Sequence, residues 1–166
     1  MSLPRLNAAD QDSATHLFMQ CCTSEKWVAE MVASRPYSDF NMLQKTADKI
    51  WDKLTEKDYL QAFDGHPKIG DVSSLKAKYA NTKELASGEQ IGANQASDEL
   101  ITELADSNRT YEEKYGFIFI VCATGKSARE MLDLLHQRLD NKRHRELEIA
   151  SEEQRKIFHL RLEKLL

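Results

Sequence analysis

Apolar positions along most of the chain recur at the spacing of an amphipathic helix. Residues at i, i+3, i+4 and i+7 share one helix face, and several such stripes follow one another. The stripes comprise Ala14, Leu17, Phe18 and Cys21; Phe40, Leu43, Ala47, Ile50 and Leu54; Leu100, Leu104, Tyr111 and Tyr115; Met131, Leu134, Leu135 and Leu139; and Leu147, Ala150, Ile157 and Leu160. The pattern predicts an all-α fold, a single-domain bundle of about seven to eight helices over residues 1–166.

Capping residues bound several of these helices. Asn7 with Asp10, and Thr55 with Asp58, have the three-residue spacing of a helix start. Further starts are predicted at Ser24, Ser38 and Ser127, and near Ser87. The helix from about Ser87 is expected to run to Tyr115 and to end at Gly116.

One apolar stretch, Phe117 to Ala123, follows no helical spacing. It is rich in β-branched and aromatic residues and predicts an extended apolar segment. The sequence offers no partner strand for it, so its backbone N–H and C=O groups need other partners. A helix, water or a bound ligand would serve.

Helix-breaking residues are scarce and concentrated in one part of the chain. Six glycines and three prolines are fewer than half the roughly twenty that average usage gives. This scarcity argues against a fold of many short strands. Seven of the nine fall within residues 65–125: Gly65, Pro67, Gly70, Gly88, Gly92, Gly116 and Gly125.

The charge composition argues against nucleic-acid binding. The chain carries 27 acidic and 23 basic side chains, a net charge of −4, whereas phosphate contacts need a basic face. The one basic cluster is neutralised by acidic neighbours and is typical of a solvent-exposed helix junction. It comprises Lys142, Arg143 and Arg145, with Asp140, Glu146 and Glu148 beside them.

Cysteine usage and hydropathy predict a cytoplasmic protein. Three cysteines cannot all pair with one another, which favours a reducing compartment. Residues 1–10 lack the apolar core of a signal peptide. The longest apolar run, 117–123, is far shorter than the ~20 residues that span a bilayer, so no membrane partner is expected.

Two motifs with chemical potential are discounted. Residues 125–127 resemble the end of a phosphate-binding loop, but Ile120 stands where that loop requires glycine. His136, Asp140 and His144 have helical spacing for metal ligands, but no fourth ligand accompanies them and a helix break is expected between them. Exposed helix residues are the better interpretation, and no metal site is predicted.

His66 is the strongest candidate for chemistry. It alone among the five histidines lies in a Gly/Pro-rich loop, and Pro67 disfavours helical geometry for it. Histidine titrates near neutral pH and can both give and take a proton. A loop histidine without a role, or a cap on a neighbouring helix, is the alternative.

Other candidates have equally plausible structural roles. Glu89 is expected near a helix start, where the helix dipole favours a carboxylate whatever its function. Cys122 has the character of a small core residue. The pattern does not decide whether Arg161, between two leucines, points inward.

Taken in order, several of these segments resemble the OHCU decarboxylase family, whose substrate is 2-oxo-4-hydroxy-4-carboxy-5-ureidoimidazoline (OHCU). The segments that carry the resemblance are His66-Pro67-Lys68-Ile69-Gly70, Glu89-Gln90, Asn108 with Tyr111, Lys114-Tyr115-Gly116-Phe117-Ile118-Phe119, and Leu160-Arg161-Leu162. Each segment alone is weak, and the ordered set is specific. Tyr115 departs from the Phe of many relatives.

The resemblance implies an all-helical, usually dimeric enzyme of urate degradation that forms (S)-allantoin without metal or organic cofactor. It implies His66, Glu89 and Arg161 as catalytic residues, with His66 transferring the proton. The implied substrate-binding residues are Pro67, Ala86, Ser87, Gly88, Gln90, Phe119, Ile120, Val121, Cys122 and Ala123. Two alternatives stay open: a non-enzymatic helical adaptor, and a relative that acts on another ureido acid.

Overall fold

The computed structural model describes residues 1–66, 72–73 and 97–166, and these residues form helices and no strand. The prediction of an all-α fold is confirmed. The described helices are α1 (Leu3–Ala8), α2 (Gln11–Cys21), α3 (Glu25–Ala33), α4 (Phe40–Trp51), α5 (Glu56–Asp64), α6 (Asp98–Tyr115), α7 (Ala128–Arg138) and α8 (Arg143–Leu165). No helix in these ranges is both long enough and apolar enough to cross a membrane.

Most of the predicted caps are confirmed. The side chains of Ser24 and Ser127 accept hydrogen bonds from the first turns of α3 and α7. Asp58 accepts from the backbone N–H of Thr55 at 3.0 Å and closes the capping box of α5. Gly116 ends α6 with φ of 78°, a left-handed conformation that favours glycine.

Two predicted starts are wrong by one or more residues. Asn7 lies inside α1, and its side-chain amide bonds both backbone groups of Tyr37, at 2.8 and 2.9 Å. Asp10 therefore caps α2 by itself. Asp39 replaces Ser38 as the cap of α4, because its carboxylate is the stronger acceptor and the Ser38 hydroxyl donates to it.

The long helix that ends at Tyr115 begins later than expected. Ser97 has extended backbone angles and accepts from the N–H of Leu100, so the helix starts at Asp98 and not near Ser87. Ser87 lies outside the described residues.

The buried stripe of α8 also differs from the apolar pattern. Leu147, Ile157 and Leu160 are only half-buried. The fully buried positions are Glu146, Ala150, Gln154, Phe158 and Leu162. The observed buried face differs from the predicted one because it includes Gln154, a polar residue that a search for apolar positions does not select.

The described chain divides into two compact units. The first comprises Met1–His66 and Leu147–Leu166, and its core is built on the aromatic side chains of Phe18, Trp27, Trp51 and Phe158. Each indole N–H donates to a backbone carbonyl at 3.2 Å, so the buried polar edges of these rings are satisfied.

The second unit, Pro67–Glu146, contains the described helices α6 and α7, which pack against each other. The apolar segment predicted near 117–123 lies between them in sequence and has no regular secondary structure over residues 118–123. Its aromatic residues pack with those of α6: Tyr111 has ring contacts with Phe117 and Phe119.

Candidate active site

His66 follows directly on the C-terminal end of α5. Gly65 makes the close approach that this end requires, because a Cβ there would lie 2.1 Å from the Thr23 Oγ1 atom. The Thr23 hydroxyl donates to the carbonyl of Gln61 at 3.0 Å and so closes the end of α5. The backbone N–H of His66 donates to the carbonyl of Phe63 at 3.1 Å, which fixes the histidine backbone against the helix.

The half-buried His66 ring contacts the interior of the first unit. Its Nε2 atom lies 2.5 Å from Oε1 of Gln154 on α8. Gln154 is fully buried, and its Nε2 atom has no hydrogen-bond partner within the described ranges. The sequence pattern missed Gln154, although its place four residues after Ala150 and four before Phe158 is a signal that it faces inward.

Arg161 is also anchored in the first unit. Its Nη1 donates to the backbone carbonyl of Cys21, the last residue of α2, at 3.3 Å. Gln154 and Arg161 are seven residues apart on α8, which places them on the same helix face two turns apart. One helix therefore positions both Arg161 and the partner of His66.

The buried cysteines beside Arg161 have no nucleophilic character. Burial raises the pKa of the Cys21 thiol to about 11 and that of Cys22 to about 12. Since the thiolate is the reactive form of cysteine, both side chains stay inert near neutral pH.

In the second unit, two cations hold the backbone of the predicted substrate-binding segment. Arg138 Nη1 donates to the Ile120 carbonyl at 2.5 Å, and Lys126 Nζ donates to the Cys122 carbonyl at 2.8 Å. A cation on a peptide oxygen polarises the whole peptide group and makes its N–H a stronger donor. The N–H groups polarised in this way belong to Val121 and Ala123.

Burial decreases along the segment from Phe119 to Ala123. Phe119 and Ile120 are buried, whereas Val121, Cys122 and Ala123 are half-buried. The sequence pattern suggested that Cys122 is a small core residue. Because it is only half-buried, it lies at the edge of the core and not inside it.

Arg138 belongs to a buried cluster that the sequence pattern did not predict. Its Nε donates to Glu146, and its Nη2 lies 3.3 Å from the Tyr111 hydroxyl. Glu146 also accepts from the Tyr111 hydroxyl at 2.5 Å and from the Asn141 amide at 3.1 Å. Every charged group of the cluster is therefore paired. The spacing of Arg138 from Met131 and Leu135, both buried, is the signal that could have found it.

Glu146 corrects part of the charge analysis. The neighbouring Lys142, Arg143 and Arg145 are exposed, in accord with a solvated helix junction. Glu146, however, is fully buried and pairs with Arg138. It faces inward because α8 has just begun there and presents one face to the second unit's interior.

The remaining predicted site residues lie outside the described residues; they are Pro67, Ala86, Ser87, Gly88, Glu89 and Gln90. Within the described ranges, no three His, Cys, Asp or Glu side chains converge in a way that could hold a metal ion.

Comparison with known proteins decides the family. A family model of OHCU decarboxylases matches residues 7–163. The chain belongs to the OHCU decarboxylase family. The resemblance suggested by the ordered motifs is thereby confirmed.

Curated relatives within the OHCU decarboxylase family include single-function and bifunctional proteins. The "Uric acid degradation bifunctional protein TTL" of Arabidopsis thaliana is 35% identical over 145 residues, 87% of this chain and 45% of its own length. A bifunctional protein from Bacillus sp. (strain TB-90) is 29% identical, and the chain spans 32% of it. The 2-oxo-4-hydroxy-4-carboxy-5-ureidoimidazoline decarboxylase of Haloferax volcanii is 26% identical over 98% of this chain and 94% of its own.

Solved structures show the same fold. A crystal structure of an OHCU decarboxylase in the presence of (S)-allantoin matches with a TM-score of 0.71 and 34% identity, covering 95% of this chain and 98% of that one. A crystal structure of (S)-allantoin synthase matches with a TM-score of 0.70 at 17% identity, over all of this chain and 54% of that one. This second match bears on the fold alone.

Proposed function

We propose that this chain catalyses the decarboxylation of OHCU to (S)-allantoin, the last step from urate to allantoin, as a carboxy-lyase. The observation that carries the proposal is the match, at 34% identity and along 98% of its length, to an OHCU decarboxylase crystallised in the presence of (S)-allantoin. We further propose that residues 1–166 act as one catalytic domain, because the family model spans both compact units.

The reaction needs few groups. When the bond between the ring carbon and its carboxylate breaks, CO2 leaves and the electron pair passes to the ring, where an imine or carbonyl holds it. One proton then returns to one face of the ring and sets the handedness of the product. Hydrogen-bond donors that meet the developing negative charge lower the barrier, so the reaction as proposed uses neither a metal nor an organic cofactor.

For the first unit, we propose that His66 transfers the proton and that Arg161 pairs with an anionic or carbonyl oxygen of the substrate. The hydrogen bond of His66 to buried Gln154 supports this role, because it fixes the ring in one orientation. Arg161 lies on the same face of the same helix.

For the second unit, we propose that the backbone of 119–123 contacts the substrate. The cations on the Ile120 and Cys122 carbonyls support this role, because the N–H groups that they polarise suit a developing oxyanion. We propose Glu89 as the third catalytic residue, with Pro67, Ala86, Ser87, Gly88 and Gln90 as substrate contacts.

We also propose a cytoplasmic homodimer. The family resemblance supports the dimer. The three cysteines are all free thiols, two of them buried, and this supports a reducing compartment.

The rate of substrate loss tests the function. Freshly generated OHCU, mixed with the purified chain, should lose its ultraviolet absorbance faster than the spontaneous decay and in proportion to protein concentration. A rate equal to that of the buffer control would refute the proposal and favour the helical adaptor. Saturable binding of a different ureido acid, without turnover of OHCU, would favour a relative with another substrate.

A further inference from the structure

Gln154 is a buried polar residue to which the reaction assigns no role. It is fully buried on the interior face of α8, yet only one end of its amide is used. The oxygen meets His66 Nε2 at 2.5 Å, whereas the amide nitrogen has no partner within the described ranges. Buried polar side chains are usually paired at every group, so this half-used amide calls for a reason.

The contact decides which ring nitrogen of His66 carries hydrogen. A carbonyl oxygen can only accept, so the nitrogen facing it, Nε2, must donate. In the neutral imidazole, one nitrogen donates and the other holds the lone pair. With Nε2 protonated, the lone pair of neutral His66 lies on Nδ1.

The surroundings of Gln154 keep the contact in place. Ala150 and Phe158, one turn before and after it, are fully buried, and the Phe158 ring packs against Trp27 and Trp51. A long side chain in such a packed interior has few alternative rotamers. The amide oxygen is thus held where the ring needs it.

We propose that Gln154 is a positioning residue that fixes His66 as the Nε2–H tautomer and makes Nδ1 the nitrogen that exchanges the proton with the substrate. This inference rests on the proposed function of His66. Gln154 acts through the ring and does not touch the substrate, because its own nitrogen is closed off from solvent.

A purely structural role for Gln154 makes the opposite prediction about stability. Because the amide nitrogen is unpaired, Gln154→Leu removes a buried unsatisfied donor and leaves a side chain of similar size. A residue kept for stability would not be improved by that change. A residue kept for positioning His66 would lose activity while the fold gained stability.

The tautomer of the His66 ring can be measured directly by NMR in the absence of substrate. Long-range 15N–1H correlation spectra of the imidazole rings distinguish a protonated from an unprotonated nitrogen. His16 serves as an internal control, because it also lies near a glutamine, Gln20, at 3.0 Å but on an exposed helix surface. We expect a single Nε2–H form for His66 above its pKa and a mixture for His16.

Two variants test the consequence for catalysis. Gln154→Leu should lower kcat about 10–100-fold, as loss of orienting partners does for metal-bound histidines, with KM little changed and the melting temperature equal or higher. Gln154→Glu places a carboxylate on Nε2–H, which favours the imidazolium and should move the His66 limb of the pH–rate profile upward by about one pH unit. Gln20→Leu is the matched control and should change neither quantity.

Either of two results would overturn the inference: a wild-type spectrum with Nδ1 protonated, or Gln154→Leu with wild-type kcat. An inactive wild-type chain would overturn the proposed function instead, and the spectrum would still decide the tautomer of His66.

Discussion

Each of the two units buries a polar cluster among its described residues, and the two clusters differ in how completely their groups are paired. In the second unit, all three donor nitrogens of Arg138 are used, and Glu146 accepts from three side chains. In the first unit, Gln154 contacts His66 through its oxygen, and its nitrogen has no partner in the described part of the chain.

The difference in pairing agrees with a structural role for the Arg138–Glu146 cluster and with the functional role that we propose for His66. A fully paired buried network fixes its surroundings, and breaking it leaves a charge stranded. A half-paired amide reduces stability by about 1–3 kcal/mol relative to a paired one, and such a loss is expected where function requires it. We therefore expect substitutions in the second-unit cluster to alter mainly stability, and substitutions at His66 to alter mainly rate.

The largest effect is expected at His66. His66→Ala should lower kcat by roughly 10²–10⁴-fold, because the proposed mechanism uses His66 as its acid–base group. The melting temperature should fall modestly, because the variant also leaves the buried Gln154 oxygen without its partner. Steady-state kinetics and thermal unfolding measure the two quantities, with His16→Ala as the matched control on an exposed face. Near-wild-type kcat in the folded His66→Ala variant would remove His66 from the mechanism.

In the second unit, Arg138→Met should reduce the free energy of unfolding by about 3–5 kcal/mol, because it strands the buried Glu146 carboxylate. Arg109→Met is the matched control: Arg109 pairs with Asp106 at 3.2 Å, but both side chains are more than half exposed. That control should change stability by less than about 1 kcal/mol. Equal losses from both variants in urea unfolding would show that burial of the Arg138 pair is irrelevant.

A smaller effect is expected at Lys126, which supports the substrate contact that we propose for the second unit. Lys126→Met removes the cation from the Cys122 carbonyl and weakens the N–H of Ala123 as a donor. Loss of a direct oxyanion donor slows enzymes by 10²–10³-fold, and Lys126 acts one peptide group away, so we expect about a 3–10-fold lower kcat. Lys114→Met, which frees the carbonyl of Leu139 instead, should leave kcat unchanged. Identical rates for the two variants would exclude the polarisation.

The smallest effect is a difference in acid sensitivity. In the first unit, Asp10 and Asp39 cap α2 and α4, and Asp58 closes the capping box of α5. Hydrogen bonds from backbone N–H groups hold the pKa of each of these carboxyls below its usual 3.8. Their stabilisation is complete above that value and is lost as pH falls through the lowered pKa. The cap of α6 is the Ser97 hydroxyl, which does not titrate.

Amide protection measured by hydrogen exchange should therefore weaken first in α2, α4 and α5 below about pH 4. Equal weakening of α6 over the same range would contradict this assignment.

Sequence patterns predicted those features that depend on near neighbours. Ser24, Ser127 and Gly116 act on residues within one helical turn, and each was correctly assigned. The side chain of Asn7 was misread as a cap because its true partner, Tyr37, lies 30 residues away.

The candidate site was predicted only in part, for the same physical reason. The Gly/Pro-rich surroundings of His66 in the sequence identified it as a candidate. Gln154 is 88 residues away from His66, and nothing near Gln154 in the sequence shows that the two side chains meet. Arg138 likewise looks like a surface residue until Glu146 is seen to turn inward. Local sequence patterns predict the helices, but they do not predict which side chains pair across long sequence separations.

The handedness of the product is the most direct test of catalysis through His66. Fresh OHCU is converted to completion by wild-type protein, and the circular dichroism of the allantoin is recorded beside that from spontaneous decay and from His66→Ala. The proposed mechanism predicts excess (S)-allantoin with the wild type and a racemic product at the spontaneous rate with His66→Ala. Racemic allantoin from the wild type, or undiminished (S)-allantoin formation by His66→Ala, would contradict it.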